Sequence, residues 1–350
     1  MRILFYQDPP SINSTLLTWT LAEELRLIGH KVYWSTPAPD SVPKGLIDWI
    51  HTSGDKAWKA HAVARACGAK LHTHLEGVAH WRVGANPATD WGYKVDLTQE
   101  EINWWIQRYR DWMSAAFQSD SCSVNGTKQT EMIEKYLFNG NPLPNCYKIS
   151  GGIDARYSGT ISPYYPKKWQ MVTASRLEGN KKILMMAEAL SKLDTEKLPL
   201  WVIAGYGTKA QTEKLLSFCN ENKIRMKLNP CFGAEKWKII NDSCLMLSGW
   251  TGLPPGEASM CKVPTLAFDH EDIVEWFGDS IHWAKDNDVM DFAEKTQSLL
   301  DNVDRNGCNW HDPITEKGRE KLLNGELFAC TIEQAAKQYE KIFTKEMFYG

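Results

Sequence analysis

The sequence predicts an α/β protein made of two Rossmann-like parallel-sheet domains, on three observations. Its 350 residues, 43% of them apolar, exceed the roughly 250–300 residues that one core sustains. Short apolar runs alternate with helix-period segments in two successive sets, the pattern of parallel strands covered on both faces. Between the sets lies SGTISPYYPKK, residues 158–168, whose prolines read as a linker. The expected organisation is a first domain over 1–157, the linker 158–168, a second domain over 169–330 and a C-terminal helix over 331–350.

In the first set, RILFY suits a buried strand, and Leu17, Leu21, Ala22, Leu25 and Ile28 then recur at helical spacing until Gly29 stops the helix. KVYW resumes as strand. GLIDWI, the helix KAWKAHAVARACG and the strand AKLHT continue the alternation, followed by a helix-like stretch from Glu100 to Ala116, the strand SCSVN and the helix TKQTEMIEKYLF. The second set runs WQMVTAS, helix 181–193, LPLWVIAG, helix 209–222, RMKLN, helix 234–241, CLMLS, a helix near 256–261, PTLAF and helix 288–300. The last helix carries Ile332, Ala335, Ala336, Tyr339, Ile342 and Phe343 on one side and needs a surface to pack on.

Composition narrows the function classes. Forty basic against forty-three acidic residues, with no long block of one sign, leave no electrostatic footprint for nucleic acid. The start has a four-residue apolar run, too short for a signal peptide, and no apolar stretch reaches the roughly 20 residues of a membrane helix. A soluble, cytoplasmic protein is expected, with room for peripheral membrane contact. Nine scattered cysteines without a C-x2-C pair read as free thiols of a reducing compartment.

In an open parallel sheet, ligands sit beyond the C-terminal strand ends, so candidate residues are sought there. After VTAS come Arg176 and, five residues on, Lys181; two cations there either converge on a nucleotide diphosphate or form a solvated loop paired with Glu178. Gly205 and Gly207 in VIAGYG either relieve a tight turn or let backbone amides approach a phosphate; a third glycine and a G-K-[ST] are lacking, so neither a dinucleotide fingerprint nor a P-loop is present. In TGLPPGEAS, Gly252 and Gly256 permit close approach, and Glu257 either complements the helix dipole or grips a vicinal diol with both oxygens.

LHTHLEGVAHW supplies His72, His74, Glu76 and His80. A strand continuing through it would align 72, 74 and 76, but without a cysteine or H-E-x-x-H spacing a zinc site is not indicated. The expectation is that the strand ends and His74 alone faces the cleft. Asp286 and Asp288 spell D-x-D, and Asp288 is read as a helix N-cap rather than a metal ligand. Sixteen tryptophans, with Trp81, Trp91, Trp104 and Trp105 close in sequence, suit either core filling or stacking on sugar faces.

Taken in order, these segments resemble the family-four glycosyltransferases, retaining nucleotide-sugar enzymes of the two-lobed GT-B fold. SRLEGNK places Arg176 and Lys181 on that family's diphosphate-binding pair, VIAGYG matches its glycine-bearing strand end, and GLPPGEAS matches G-L-P-x-x-E-A, with Gly252 and Leu253 beside Glu257 on the ribose-binding glutamate. THLEG is similar to the strand end whose histidine, here His74, lies near the transferred sugar; GGID resembles the hinge-side segment, and the terminal helix resembles the one that crosses back to the first lobe.

The resemblance implies two lobes facing each other across a cleft, a UDP- or GDP-sugar donor, a glycan or glycolipid acceptor, and hexosyl transfer with retention and no metal. Arg176, Lys181 and His74 would be catalytic; Gly205, Gly207, Gly252, Leu253 and Glu257 would hold the nucleotide. Two departures stand out. The family's other glutamate, eight residues ahead of Glu257, is here Gly249, and its N-terminal glycine-rich loop is replaced by QDPPSINS, where Ser11, Asn13 and Ser14, with Glu76 and Trp81, are the expected sugar or acceptor contacts. These departures imply an atypical donor preference. The alternatives on the same fold are a sugar-nucleotide epimerase and a non-catalytic sugar-nucleotide-binding subunit.

Overall fold

The structure, a computed structural model, describes residues 1–7, 16–53, 56–75, 99, 100, 103, 107, 117–143, 145–155, 168–177, 179–249, 252–303 and 312–349. These fall into two compact units: the residues up to Gly152 with those from Cys330 onward, and the residues from Ile153 to Ala329. Apart from Lys168, the expected linker lies outside the described residues, as does most of the helix expected over 100–116.

The first unit holds six parallel strands: β1 (Arg2–Phe5), β2 (Lys31–Trp34), β3 (Trp49–Ser53), β4 (Lys70–Leu75), β5 (Ser121–Val124) and β6 (Cys146–Lys148), in the order β2-β1-β3-β4-β5-β6. Helices α1 (Leu16–Leu27), α2 (Ala57–Cys67) and α3 (Thr127–Leu137) alternate with them. The strand expected over GLIDWI starts later, at Trp49. Gly45 takes a turn at φ +70°, and the Asp48 carboxylate accepts the Arg2 backbone N–H at 2.7 Å, so the segment before Trp49 is spent on a loop. A two-residue strand, β7 (Gly152–Ile153), follows.

The second unit repeats the plan with β8 (Lys168–Thr173), β9 (Leu200–Ile203), β10 (Met226–Leu228), β11 (Ser243–Ser248), β12 (Thr265–Phe268) and β13 (His282–Ala284). Their order, β10-β9-β8-β11-β12-β13, is the doubly wound arrangement that reverses direction between β8 and β11. The helices are α4 (Ile183–Ser191), α5 (Lys209–Glu221), α6 (Gly233–Asp242), α7 (Pro254–Met260), α8 (Glu271–Phe277), α9 (Val289–Asp301) and α10 (Pro313–Asn324). Neighbouring strand residues feed different cores. Met171, Leu245 and Leu247 pack with α4 and α9, whereas Val172 and Met246 pack with Trp237 and Ala258 on the other face. Continuous apolar runs such as CLMLS are what two buried faces demand.

Besides the two-residue strands, four elements escaped the sequence reading: β6, α8, β13 and α10. The last contains Gly318, where a side chain would meet the Ser280 carbonyl oxygen at 2.4 Å. The glycine is a packing requirement. Asp312 caps α10, accepting the Thr315 N–H at 3.0 Å, and its Oδ2 also bonds His282 Nε2 at 3.0 Å.

After β14 (Cys330–Thr331), which pairs with β7, helix α11 (Ile332–Tyr349) belongs to the first unit. All six residues of its apolar stripe are buried, against Ile3, Phe5, Leu21, Ala22, Leu25 and Trp49. Each large side chain so placed contributes about 1.5–3 kcal/mol. The same helix covers three histidines. His51 and His72 are register partners on β3 and β4, their rings stacked at 5.3 Å, and Tyr339 meets both edge-on at 5.4 Å. His72 bonds Ser121 Oγ at 2.8 Å and Ser123 Oγ at 2.9 Å; His74 bonds Ser123 Oγ at 2.7 Å and the Tyr339 hydroxyl at 3.1 Å.

Burial holds these imidazoles neutral. It lowers His51 to about 3, with the charge of His74 adding to the effect, and lowers His74 to about 4 against the opposing pull of a hydrogen bond with Asn125. His72 lies well below its ordinary value for the same reason, helped by both neighbours. In the unfolded chain each takes a proton near 6.5, so between 6.5 and these lowered values the unfolded state binds more protons. Stability is therefore complete above pH 6.5 and is lost as the pH falls from there towards 4 and 3.

Thermal melts between pH 8 and pH 5 should show a Tm that holds above pH 7 and falls steadily below it; a flat Tm across the range would contradict the buried layer. Separately, a methyl group on Gly152 would stand 2.5 Å from the Ile332 Cα, where only backbone can yield. Gly152→Ala should cost about 1–3 kcal/mol in a denaturant titration.

Candidate functional site

The reversal of strand order between β8 and β11 opens a gap at the C-terminal sheet edge, because the chain leaves β8 towards α4 on one face and leaves β11 towards α7 on the other. A cavity of about 190 Å³ lies there, lined by Thr173, Ala174, Ser175, Arg176, Lys181, Leu247, Ser248, Gly249, Gly252 and Pro254. Its floor is tied by a short relay. Trp201 Nε1 donates to Thr173 Oγ1 at 3.0 Å, and Thr173 Oγ1 donates to the Leu247 carbonyl at 2.9 Å, joining β9, β8 and β11 where the pocket begins.

Arg176 and Lys181 both line this cavity, with Gly252 at its rim. The arginine is exposed and the lysine half-buried. Their neighbour Lys182 behaves differently. Its backbone takes φ +52°, its ammonium is buried, and it pairs with Asp286 while standing 5.3 Å from the Phe268 ring centre. This left-handed residue also delays the helix expected from 181, which begins at Ile183 after a turn of 3-10 helix over Gly179–Lys181. Both ends of D-N-D are thereby occupied: Asp286 by Lys182, and Asp288 as the cap of α9, accepting from the Met290 and Asp291 N–H groups.

The glycines of the site serve backbone approach. A Cβ on Gly205 would meet the Ser175 carbonyl oxygen at 1.7 Å, one on Gly207 would meet Leu177 Cβ at 2.6 Å, and the loops are joined by Leu177 N–H donating to the Tyr206 carbonyl at 2.9 Å. At both positions the place of a side chain is taken by protein. Gly249 is equally enclosed, with the Lys181 carbonyl oxygen 2.0 Å from where a Cβ would stand. At the position where the resemblance expects an acid, no side chain fits. Gly252 has φ +153°, a conformation open to glycine, and Gly256 lets α7 approach Ile153.

Leu253 is the half-buried N-cap residue of α7, and Glu257 lies in its first turn. The carboxylate is 4% exposed; its Oε1 accepts from Lys236 Nζ at 2.6 Å, and its Oε2 is buried without a hydrogen-bond partner among the described residues. Lys236 comes from α6, whose amino end is flanked by the Tyr206 and Phe232 rings, 5.9 Å apart. Sequence reasoning missed Lys236, Ser175, Ser248 and this ring pair. None stands in a spacing that signals them, since Lys236 and Glu257 are 21 residues apart.

His74 is the penultimate residue of β4, which ends at Leu75; its side chain is 6% exposed and bonded to Ser123 and Tyr339 beneath α11. Ser11, Asn13, Ser14, Glu76, His80 and Trp81, with Trp91, Trp104 and Trp105, lie outside the described residues. Among the described residues no cluster of three or more His, Cys, Asp or Glu is arranged to hold a metal, and no helix is long and apolar enough to cross a membrane.

No protein-family model matches the chain, and no curated protein sequence does. Solved structures match over its whole length. A glycosyltransferase of Rickettsia africae superposes with TM-score 0.69 at 13% identity, covering 100% of this chain and 99% of its own. Anabaena Alr3699/HepE in complex with UDP-glucose gives TM-score 0.70 at 11% identity, covering 99% and 100%. Staphylococcus aureus TarM matches 84% of this chain and 54% of its own, with TM-score 0.60 at 16% identity. Two Rossmann-like parallel sheets in series, matched end to end by the Rickettsia and Anabaena proteins, give the chain the GT-B fold.

Proposed function

We propose that this protein is a glycosyltransferase that moves a sugar from a nucleoside diphosphate donor to an acceptor hydroxyl. The observation that carries the reading is the cavity at the strand-order reversal, where Arg176 and Lys181 stand together on a floor of small residues. Two cations lining one cavity suit a diphosphate, and a planar guanidinium matches phosphate oxygens in pairs. The solved structures of HepE with UDP and with UDP-glucose support UDP as the nucleotide.

In this mechanism the second unit holds the donor and the first is left to receive the acceptor. The bond between the anomeric carbon and the diphosphate oxygen breaks as a bond to the acceptor oxygen forms. Arg176 and Lys181 stabilise negative charge growing on the leaving diphosphate, an electrostatic role that begins before departure is complete. The acceptor proton passes to the departing phosphate oxygen on the same face, so configuration at the anomeric carbon is retained. Buried under α11, His74 acts on the first unit's shape rather than on the sugar.

Donor choice is expected to be atypical. A charged hydrogen-bonding group is worth about 1.5–3 kcal/mol, and with Gly249 closed against the Lys181 carbonyl no acid can be restored there. The sugar hydroxyls that such an acid would hold are recognised elsewhere or not at all.

Screening a nucleotide-sugar panel by thermal shift, then by product mass with glycan and glycolipid acceptors, should identify a UDP-sugar that both stabilises the protein and is transferred. Hydrolysis or epimerisation of the donor without transfer would overturn the reading. Arg176→Ala should lower kcat by about a hundredfold or more with a smaller change in donor KM. Glu257→Gln should mainly raise donor KM, by about tenfold. Transfer should persist in EDTA, and NMR of the product should show the donor's anomeric configuration.

A further inference from the structure

The Glu257–Lys236 pair departs from a simple two-oxygen grip on a diol, and its role is tied to the nucleoside diphosphate donor proposed for the site. Lys236 Nζ takes Oε1 at 2.6 Å, and the lysine is itself mostly covered, with 24% of its side chain exposed. Oε2 is buried and has no hydrogen-bond partner among the described residues. A buried carboxylate oxygen without a protein partner is costly, so the pair is arranged around a hydrogen-bond donor that arrives from outside the protein.

The chemistry of that incoming group is restricted. An ionised carboxylate only accepts hydrogen bonds, and the ammonium already balances its charge, so the group is a neutral O–H or N–H. The pair stands where α6 and α7 follow β10 and β11, on the C-terminal side of the sheet that also carries the cationic pocket. For a nucleoside diphosphate whose phosphates lie against Arg176 and Lys181, the neutral donors next along the molecule are the ribose hydroxyls.

We propose that Lys236 is a positioning residue: by occupying Oε1 it turns Glu257 so that Oε2 alone is offered, and the site reads one ribose hydroxyl instead of gripping both. A side chain that only stabilised the fold would leave the discrimination between hydroxyls untouched.

Isothermal titration of the full chain with UDP, 2′-deoxy-UDP and 3′-deoxy-UDP tests this, on the wild type, Lys236→Met and Lys236→Arg, with circular dichroism melts to check folding. One deoxy analogue should bind the wild type about tenfold or more weakly while the other stays within about twofold of UDP. Lys236→Met should weaken UDP by about tenfold and erase the difference between the analogues, and Lys236→Arg should restore both. Equal losses for the two analogues, no loss for either because Oε2 holds only a water, or full discrimination in Lys236→Met would each overturn the proposal while UDP binding itself stands. A wild type that binds no UDP overturns the nucleotide-sugar reading and this proposal with it. Should Lys236→Met fail to fold, the two analogues on the wild type decide alone.

Discussion

The candidate site depends on how β8 and β11 sit side by side. They are parallel neighbours, yet the chain leaves them towards helices on opposite faces, and that divergence leaves space no side chain of the sheet can fill. The hydrogen bond from Thr173 to the Leu247 carbonyl keeps the two strand ends together at the point of divergence. The indole of Trp201, fully buried, fixes the threonine hydroxyl from the next strand. Loosening this contact would widen the floor on which Arg176, Lys181 and Ser248 are placed.

Around that floor the backbone, more than the side chains, sets the dimensions. Gly205 lies against Ser175 and Gly249 against Lys181, each too close for a Cβ. The second approach bears on chemistry, because it removes a position that could have held a carboxylate and carries the two adjacent lysines into different environments. Lys181 faces the cavity; Lys182, in a left-handed conformation, neutralises Asp286 inside the unit. One residue of register therefore separates a pocket cation from a structural one.

The first unit solves a different problem. Its sheet places His51, His72 and His74 on one face, a costly choice unless the imidazoles stay neutral and bonded. Ser121, Ser123 and Tyr339 supply hydrogen-bonding partners to His72 and His74, His51 Nδ1 has none among the described residues, and α11 seals the layer with Tyr339 and Phe343. A helix from the far end of the chain thus completes a polar layer begun by strands near its start.

Much of this was legible from local pattern. The alternation of apolar runs and helical spacing located the strands of both sheets apart from β6, β13 and the two-residue pieces, because two buried faces leave unbroken apolar segments and amphipathic helices leave a period. The stripe Ile332 to Phe343 was readable for the same reason, and so were Asp288 as a cap and Arg176 with Lys181 at a strand end, since capping and strand-end position are short-range properties. Tertiary structure decided what depends on distant partners. The Lys236–Glu257 pair spans 21 residues and the His74–Tyr339 bond spans 265, and no spacing rule reaches so far. The sequence likewise showed glycines at 205, 249 and 318 without the carbonyl oxygens they face, and only the folded chain, where Ser175, Lys181 and Ser280 come up against them, turns a missing side chain into a steric requirement.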